Sequence, residues 1–146
     1  MKTSYGDESC VKAVSALFER AIGDDAWGEN SLFGAIGDDN GILLIVKENS
    51  DIVGALVAYA SDYESELAMI AVDDSFRGRG YARMLMDDYI EILNAKGVQD
   101  AFLEVREKNE AAISLYESYG YENVGVRANF YQNPVEDAYI LKKDLR

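Results

Sequence analysis

The chain has 146 residues, 49% of them apolar, and a single proline, so it is long enough for a sizeable core and too apolar for a disordered tail. Its 27 acids against 14 bases give a formal net charge of −13. That balance disfavours a nucleic-acid backbone as the main partner; it suits a cationic one, or serves only to keep the protein in solution. With no histidine, a Ser-His-Asp or Cys-His centre and an ordinary histidine-containing zinc site are excluded, and the lone Cys10 leaves no internal disulfide. Any general base must be a carboxylate, a tyrosine, a lysine or a water chain. No stretch has the apolar length of a membrane span, and the N-terminus lacks signal-peptide order, so no membrane partner and a cytoplasmic location are expected.

In chain order, Met1 to Tyr5 reads as a short edge strand. Asp7 or Ser9 caps a helix that carries Val11, Val14, Leu17, Phe18, Ala21 and Ile22 on one face and closes at Gly23. A second helix is expected from Ser31 to Ile36, closed by Gly37. Ala-Ile-Gly-Asp-Asp occurs at Ala21 to Asp25 and again at Ala35 to Asp39, which reads as two helix C-caps with no third copy. In the intervening loop, Trp27 either plates a substrate site or plugs the core beside Phe33.

The apolar runs Gly41 to Glu48 and Ile52 to Ala60 flank Asn49-Ser50-Asp51 as a hairpin, and a turn at Asp62 to Ser65 leads into a strand ending at Val72. A helix follows to Gly97, and Ala101 to Val105 is then a buried strand parallel to its predecessor. Asn109 caps a helix through Tyr119, closed by Gly120. Strands near Glu122 to Arg127 and Asp137 to Lys142 complete one mixed α/β domain over residues 1–146, with no linker.

The chemistry gathers at Arg77-Gly78-Arg79-Gly80-Tyr81-Ala82, between strand and helix. Two glycines bare the backbone, the opening helical turn presents unpaired N–H groups, and Arg83 adds a third arginine: an anion site suited to a phosphate or pyrophosphate. A dinucleotide fingerprint fails, because Arg83 stands where its third glycine belongs, and no Gly-Lys-Ser/Thr follows to make a P-loop. The pattern R/Q-x-x-G-x-G/A fits at Arg77, Gly80 and Ala82. It resembles the acyl-CoA loop of the GNAT N-acetyltransferases.

The resemblance sharpens through Leu103-Glu104-Val105-Arg106, Asn109, Ala111-Ala112-Ile113 and Leu115-Tyr116-Glu117-Ser118-Tyr119-Gly120-Tyr121, which are similar to the RimI branch. It runs on through Arg127, Asn129-Phe130-Tyr131, Pro134 and Glu136-Asp137-Ala138. It implies a mostly antiparallel sheet with a parallel pair at the acyl-CoA site, acetyl-CoA as cosubstrate, and no metal. It places Ile70, Ala71 and Val72 along the pantetheine arm, Arg77 to Arg83 at the pyrophosphate, and Asn109 near the same arm. Glu104 becomes the general base, the alternative being a surface carboxylate paired with Arg106 or Lys108. Tyr116 becomes the acid for the thiolate, and Tyr119 belongs to the core. Trp27, Phe130 and Tyr131 border the acceptor, although Gln132-Asn133 separates this aromatic pair from Pro134, unlike in the branch.

The implied acceptor is a basic protein N-terminus, possibly that of a ribosomal protein. A small cationic amine and a non-catalytic CoA sensor are the alternatives, with monomer and homodimer both open. An open groove beside Glu104 marks the peptide enzyme, and closure by Trp27, Phe130 or Tyr131 the metabolite enzyme.

Overall fold

A computed structural model describes residues 2–146 as a seven-stranded sheet with helices on both faces. The strands are β1 Ser4–Tyr5, β2 Gly41–Glu48, β3 Asp51–Ala60, β4 Glu64–Val72, β5 Asp100–Arg106, β6 Glu122–Tyr131 and β7 Glu136–Asp144. The helices are α1 Val11–Ile22, α2 Glu29–Gly37, α3 Tyr81–Lys96 and α4 Glu110–Ser118. Strand order is β1-β2-β3-β4-β5-β7-β6, and every neighbouring pair is antiparallel except β4 with β5. This is the expected architecture. Of the expected edge strand, Met1 lies outside the described residues.

Alternation along the central strands sorts the core into two layers. On β2, Ile42, Leu44 and Val46 face the cluster that holds Leu85, Met86, Tyr89 and Leu93 of α3 and Tyr116 of α4. Leu43 and Ile45 face the other cluster, with Val14, Leu17 and Phe18 of α1 and Leu32 of α2. A strand buried on both faces reads as an unbroken apolar run, which is why β2 and β3 are so plain in the sequence. Asn49 and Ser50, at φ 53° and 76°, form the two-residue turn between them.

The repeated pentapeptide does not close its two helices alike. Gly23 caps α1 at φ 85°, whereas Gly37 is the last residue of α2 and Asp38 is the cap, at φ −94°. The expected glycine closure at Gly37 is replaced by a tight turn into β2. Asp38 N–H donates to the Ala35 carbonyl at 3.3 Å and Gly41 N–H to the Asp38 carbonyl at 2.9 Å. The glycine that this turn requires is Gly41, where a Cβ would sit 1.7 Å from the Ala35 carbonyl oxygen. Asp7 caps the 3-10 turn Glu8–Cys10 that leads into α1, its carboxylate accepting from Ser9 N–H at 2.9 Å, while α1 itself starts after Cys10 with no side-chain cap.

One irregularity opens the middle of the sheet. The β3–β4 register passes from Val57↔Met69 to Ala58↔Leu67, so Ala68 is an extra residue in β4. A bulge bends its strand and ends pairing. The parallel β4–β5 ladder accordingly stops at Leu67↔Leu103. Beyond it, the β5-facing edge of Ala68 to Val72 pairs with no strand, and β4 and β5 part as a wedge.

Candidate active site

The wedge opens into a recess of about 630 Å³. Ile70, Ala71 and Val72 form one side, with Arg77 and Ala82 where α3 begins. Glu104 on β5, Asn109 and Tyr116 form the facing side, and Trp27, Phe130 and Tyr131 stand at its mouth. Residues up to 104 positions apart, Trp27 and Tyr131, thus line one recess. Gly78, Arg79, Gly80, Tyr81 and Arg83 stand outside the recess wall, in the loop and first turn behind it.

At the α3 end the recess is built from main chain. Gly78 and Gly80 take φ of 80° and 82°, and a Cβ on either would meet nothing within 4 Å, so glycine serves conformation there, not space. The helical ladder starts with Met84 N–H on the Gly80 carbonyl at 3.0 Å, leaving the N–H groups of the first turn outside it. The arginine side chains have partners of their own. Arg77 pairs with Asp74 at 2.8 Å. Arg79 pairs with Glu48 at 2.6 Å and lies over the Phe76 ring, and the Tyr81 hydroxyl donates to the other Glu48 oxygen. Arg83 reaches Ser118 Oγ at 3.4 Å and lies over Tyr119.

Asn109 caps α4 with its side-chain oxygen, which accepts from Ala112 N–H at 3.2 Å. Tyr116 is 8% exposed, and burial pushes its phenol well above the usual range, so it stays protonated and able to donate. Tyr119 is only half-buried. Its hydroxyl donates to Asp87 at 2.6 Å and staples α4 to α3, so it is a polar contact at the edge of the core, not an interior side chain.

At the β5 end side chains carry the site. Glu104 pairs through Oε1 with Arg127 Nε at 3.4 Å, while its buried Oε2 has no partner among the described residues. Burial raises its pKa, Arg127 works against that, and Glu66 adds to it; the net direction is upward. Neither Arg106 nor Lys108 is its partner: Arg106 turns to Asp25 and Glu136, and Lys108 offers Glu136 its backbone N–H. Trp27 packs at a tilt on Tyr59, ring centroids 6.2 Å apart, while Phe33 is exposed; it both joins the α1–α2 cluster and lines the recess. Phe130 meets Tyr131 edge-on at 5.0 Å, and burial, then Asp25 and Glu104, push the Tyr131 phenol up to about 12.

Glu66 and Glu104 also line a second recess of about 480 Å³, which runs to Asp38, Tyr59, Ser61 and Phe102 on the far side of Glu104. Glu48, Glu66 and the pairing of Glu104 with Arg127 escape sequence reading. The Glu104–Arg127 contact depends on β7 lying between β5 and β6. Only the strand order 5-7-6 puts Arg127, beside Ala138, near Glu104, beside Ile140.

The model of the acetyltransferase (GNAT) family matches residues 10–121. The chain belongs to the GNAT family. Among its relatives, a [ribosomal protein bS18]-alanine N-acetyltransferase of Salmonella typhimurium is 38% identical over 117 residues, covering 79% of this chain and 78% of that protein. The N-alpha-acetyltransferase RimI of Mycobacterium tuberculosis is 28% identical over 141 residues, 94% of this chain and 85% of that one. The chain also matches an uncharacterized Mycobacterium leprae protein at 30% identity, spanning 38% of its length. Among solved structures, the ribosomal-protein-S18-alanine N-acetyltransferase of Escherichia coli superposes with a TM-score of 0.90 at 28% identity, over 98% of this chain and 92% of that one. This GNAT protein is an acetyl-CoA-dependent N-acetyltransferase of the RimI-like branch. None of its described helices is long and apolar enough to cross a membrane.

Proposed function

We propose that this GNAT enzyme acts as one domain that acetylates the N-terminal α-amine of a basic protein, first of all a ribosomal protein, with Glu104 as general base and Tyr116 as general acid. The observation that carries the reading is the position of Glu104. It stands in the wall shared by two recesses, with one oxygen held by Arg127 and the other without a partner among the described residues. One recess suits the cosubstrate; the other leaves room for an acceptor chain to continue past the base. The names of the relatives support an alanine α-amine as the acceptor.

Acetyl-CoA supplies an acetyl group activated as a thioester. The free edge of Ile70 to Val72 suits the pantetheine arm, and the N–H groups from Gly78 to Ala82, with Arg77, suit the pyrophosphate. Asn109 lies near the same arm. Arg79, Tyr81 and Arg83 join only by leaving Glu48 and Ser118. Near Ala71, main-chain donors would meet the developing oxyanion.

An ammonium has no lone pair, so Glu104 first takes a proton from the acceptor, directly or through a water. Burial raises its pKa, which makes it a stronger base than an exposed carboxylate. As the C–N bond forms and the C–S bond breaks, Tyr116 gives its phenolic proton to the departing thiolate, and the second proton shed by the acylated nitrogen passes through solvent to restore the phenol. Positioning supplies the remaining rate.

The test is CoA release with acetyl-CoA and a panel of acceptors: arginine-rich peptides starting with alanine, neutral peptides, spermidine and an aminoglycoside. Selective turnover of the basic alanine peptide is expected. Turnover of only spermidine or the aminoglycoside would transfer the enzyme to small-amine chemistry. Acetyl-CoA binding without any turnover would make it a sensor.

A further inference from the structure

Arg106 uses every donor it has. Its Nε and one Nη2 hydrogen reach the two oxygens of Asp25 at 2.6 and 2.9 Å, and the second Nη2 hydrogen reaches the Gln132 carbonyl at 2.8 Å. The Nη1 hydrogens reach the Pro134 carbonyl at 2.9 Å and Glu136 Oε1 at 3.1 Å. Five N–H groups thus meet five acceptors, the full capacity of a guanidinium. The Tyr131 ring stacks on its carbon at 4.5 Å, and the side chain is only 18% exposed.

These partners come from two segments that otherwise belong to different parts of the chain. Asp25 lies in the α1–α2 connection, two residues before Trp27. Gln132 and Pro134 lie in the β6–β7 turn, directly after Phe130 and Tyr131, and Glu136 opens β7. Asp25 and Trp27 in the first segment, and Phe130 and Tyr131 directly before the second, line the recess. Arg106 is also two residues along β5 from Glu104, hence on the same face of the strand.

We infer that Arg106 is a positioning residue that latches the α1–α2 connection to the β6–β7 turn and so fixes the width of the acceptor entrance relative to Glu104. The inference rests on reading the Glu104 recess as the acceptor site. It also gives the Gln132-Asn133 insertion a role, since the Gln132 carbonyl is one of the latch's acceptors. Lysine cannot substitute, having three donors in no fixed plane. With two carboxylates and two carbonyls around it, the guanidinium stays charged at every working pH.

The test compares the full chain with its Arg106→Lys and Asp25→Asn variants. Hydrogen exchange is followed over residues 23–28 and 132–136, with acetyl-CoA affinity by calorimetry and steady-state kinetics on an amine that the parent turns over. Exchange should speed up in both segments together. Acceptor KM should rise about tenfold or more, with kcat falling less and acetyl-CoA Kd within about twofold. That unchanged Kd also certifies the fold, and Asp25→Asn carries the test should Arg106→Lys fail to fold. Loosening of one segment without the other, an unmoved acceptor KM, or a Kd that moves with KM would overturn the latch. Failure of the acceptor-site reading looks different: Glu104→Gln would then leave turnover unchanged while the exchange coupling between the two segments persists.

Discussion

Where α3 begins, main chain walls the recess: two glycines at positive φ, the free edge of β4 and the first N–H groups of a helix. At the β5 end, charged side chains do the same work, with Glu104 held by Arg127 and Arg106 bound to two separate segments. The first construction is written in one short stretch, from Ala68 to Ala82, and survives most side-chain changes. The second joins positions up to 81 apart and fails when one partner is lost. A cosubstrate that is the same for a whole family suits the first, and an acceptor that differs from member to member suits the second.

The contrast can be broken most severely at Glu104. Glu104→Gln should lower kcat by about 10²- to 10⁴-fold. The parent rate rises as pH passes the raised pKa of Glu104; with glutamine only the amine's own deprotonation remains, so the optimum should move to higher pH while acetyl-CoA affinity stays put. An unchanged pH–rate profile would remove Glu104 from the chemistry. Gly80→Trp is the counterpart at the other end. It should weaken acetyl-CoA about 100-fold or more, seen by calorimetry on a variant whose circular dichroism is native. Native folding with retained binding would contradict the loop's role.

Arg127→Ala sharpens the comparison more gently. Without the cation, Glu104 should titrate at still higher pH, so the acidic limb of kcat/KM should move up, the plateau changing less than about threefold because Arg127 is largely exposed. A limb that stays in place would show the ion pair to be idle. Gly78→Ala should cost only about 1–2 kcal/mol, since its Cβ enters open space and only the left-handed backbone resists. A melting temperature lower by a few degrees would be the sign.

The same division explains what could be read in the sequence. Strands β2 to β5, α3 and the Arg-Gly loop were legible because their signals are local: apolar alternation, helical spacing, a glycine at each end. The two copies of Ala-Ile-Gly-Asp-Asp show where local signals stop. Identical residues close α1 at a left-handed Gly23, yet pass through a turn after Gly37, because the second copy must land on β2 beside Gly41. Glu104 and Tyr116 stand out in the sequence only through the words that surround them. The partner of Glu104, Arg127, acquires meaning only from the order of β5, β7 and β6, and the Ala68 bulge that opens the wedge leaves no mark in composition.

Four residue pairs, from Glu64↔Asp100 to Leu67↔Leu103, are all that join β4 to β5. The sheet is therefore two antiparallel halves sewn along a short seam. A ligand held in the wedge, as proposed for acetyl-CoA, touches both halves and resists their parting. At a hundredfold excess over Kd such a ligand adds about 2.7 kcal/mol against unfolding. Occupied, the seam should open less often, and digestion of the purified protein by an added protease should slow when acetyl-CoA is supplied.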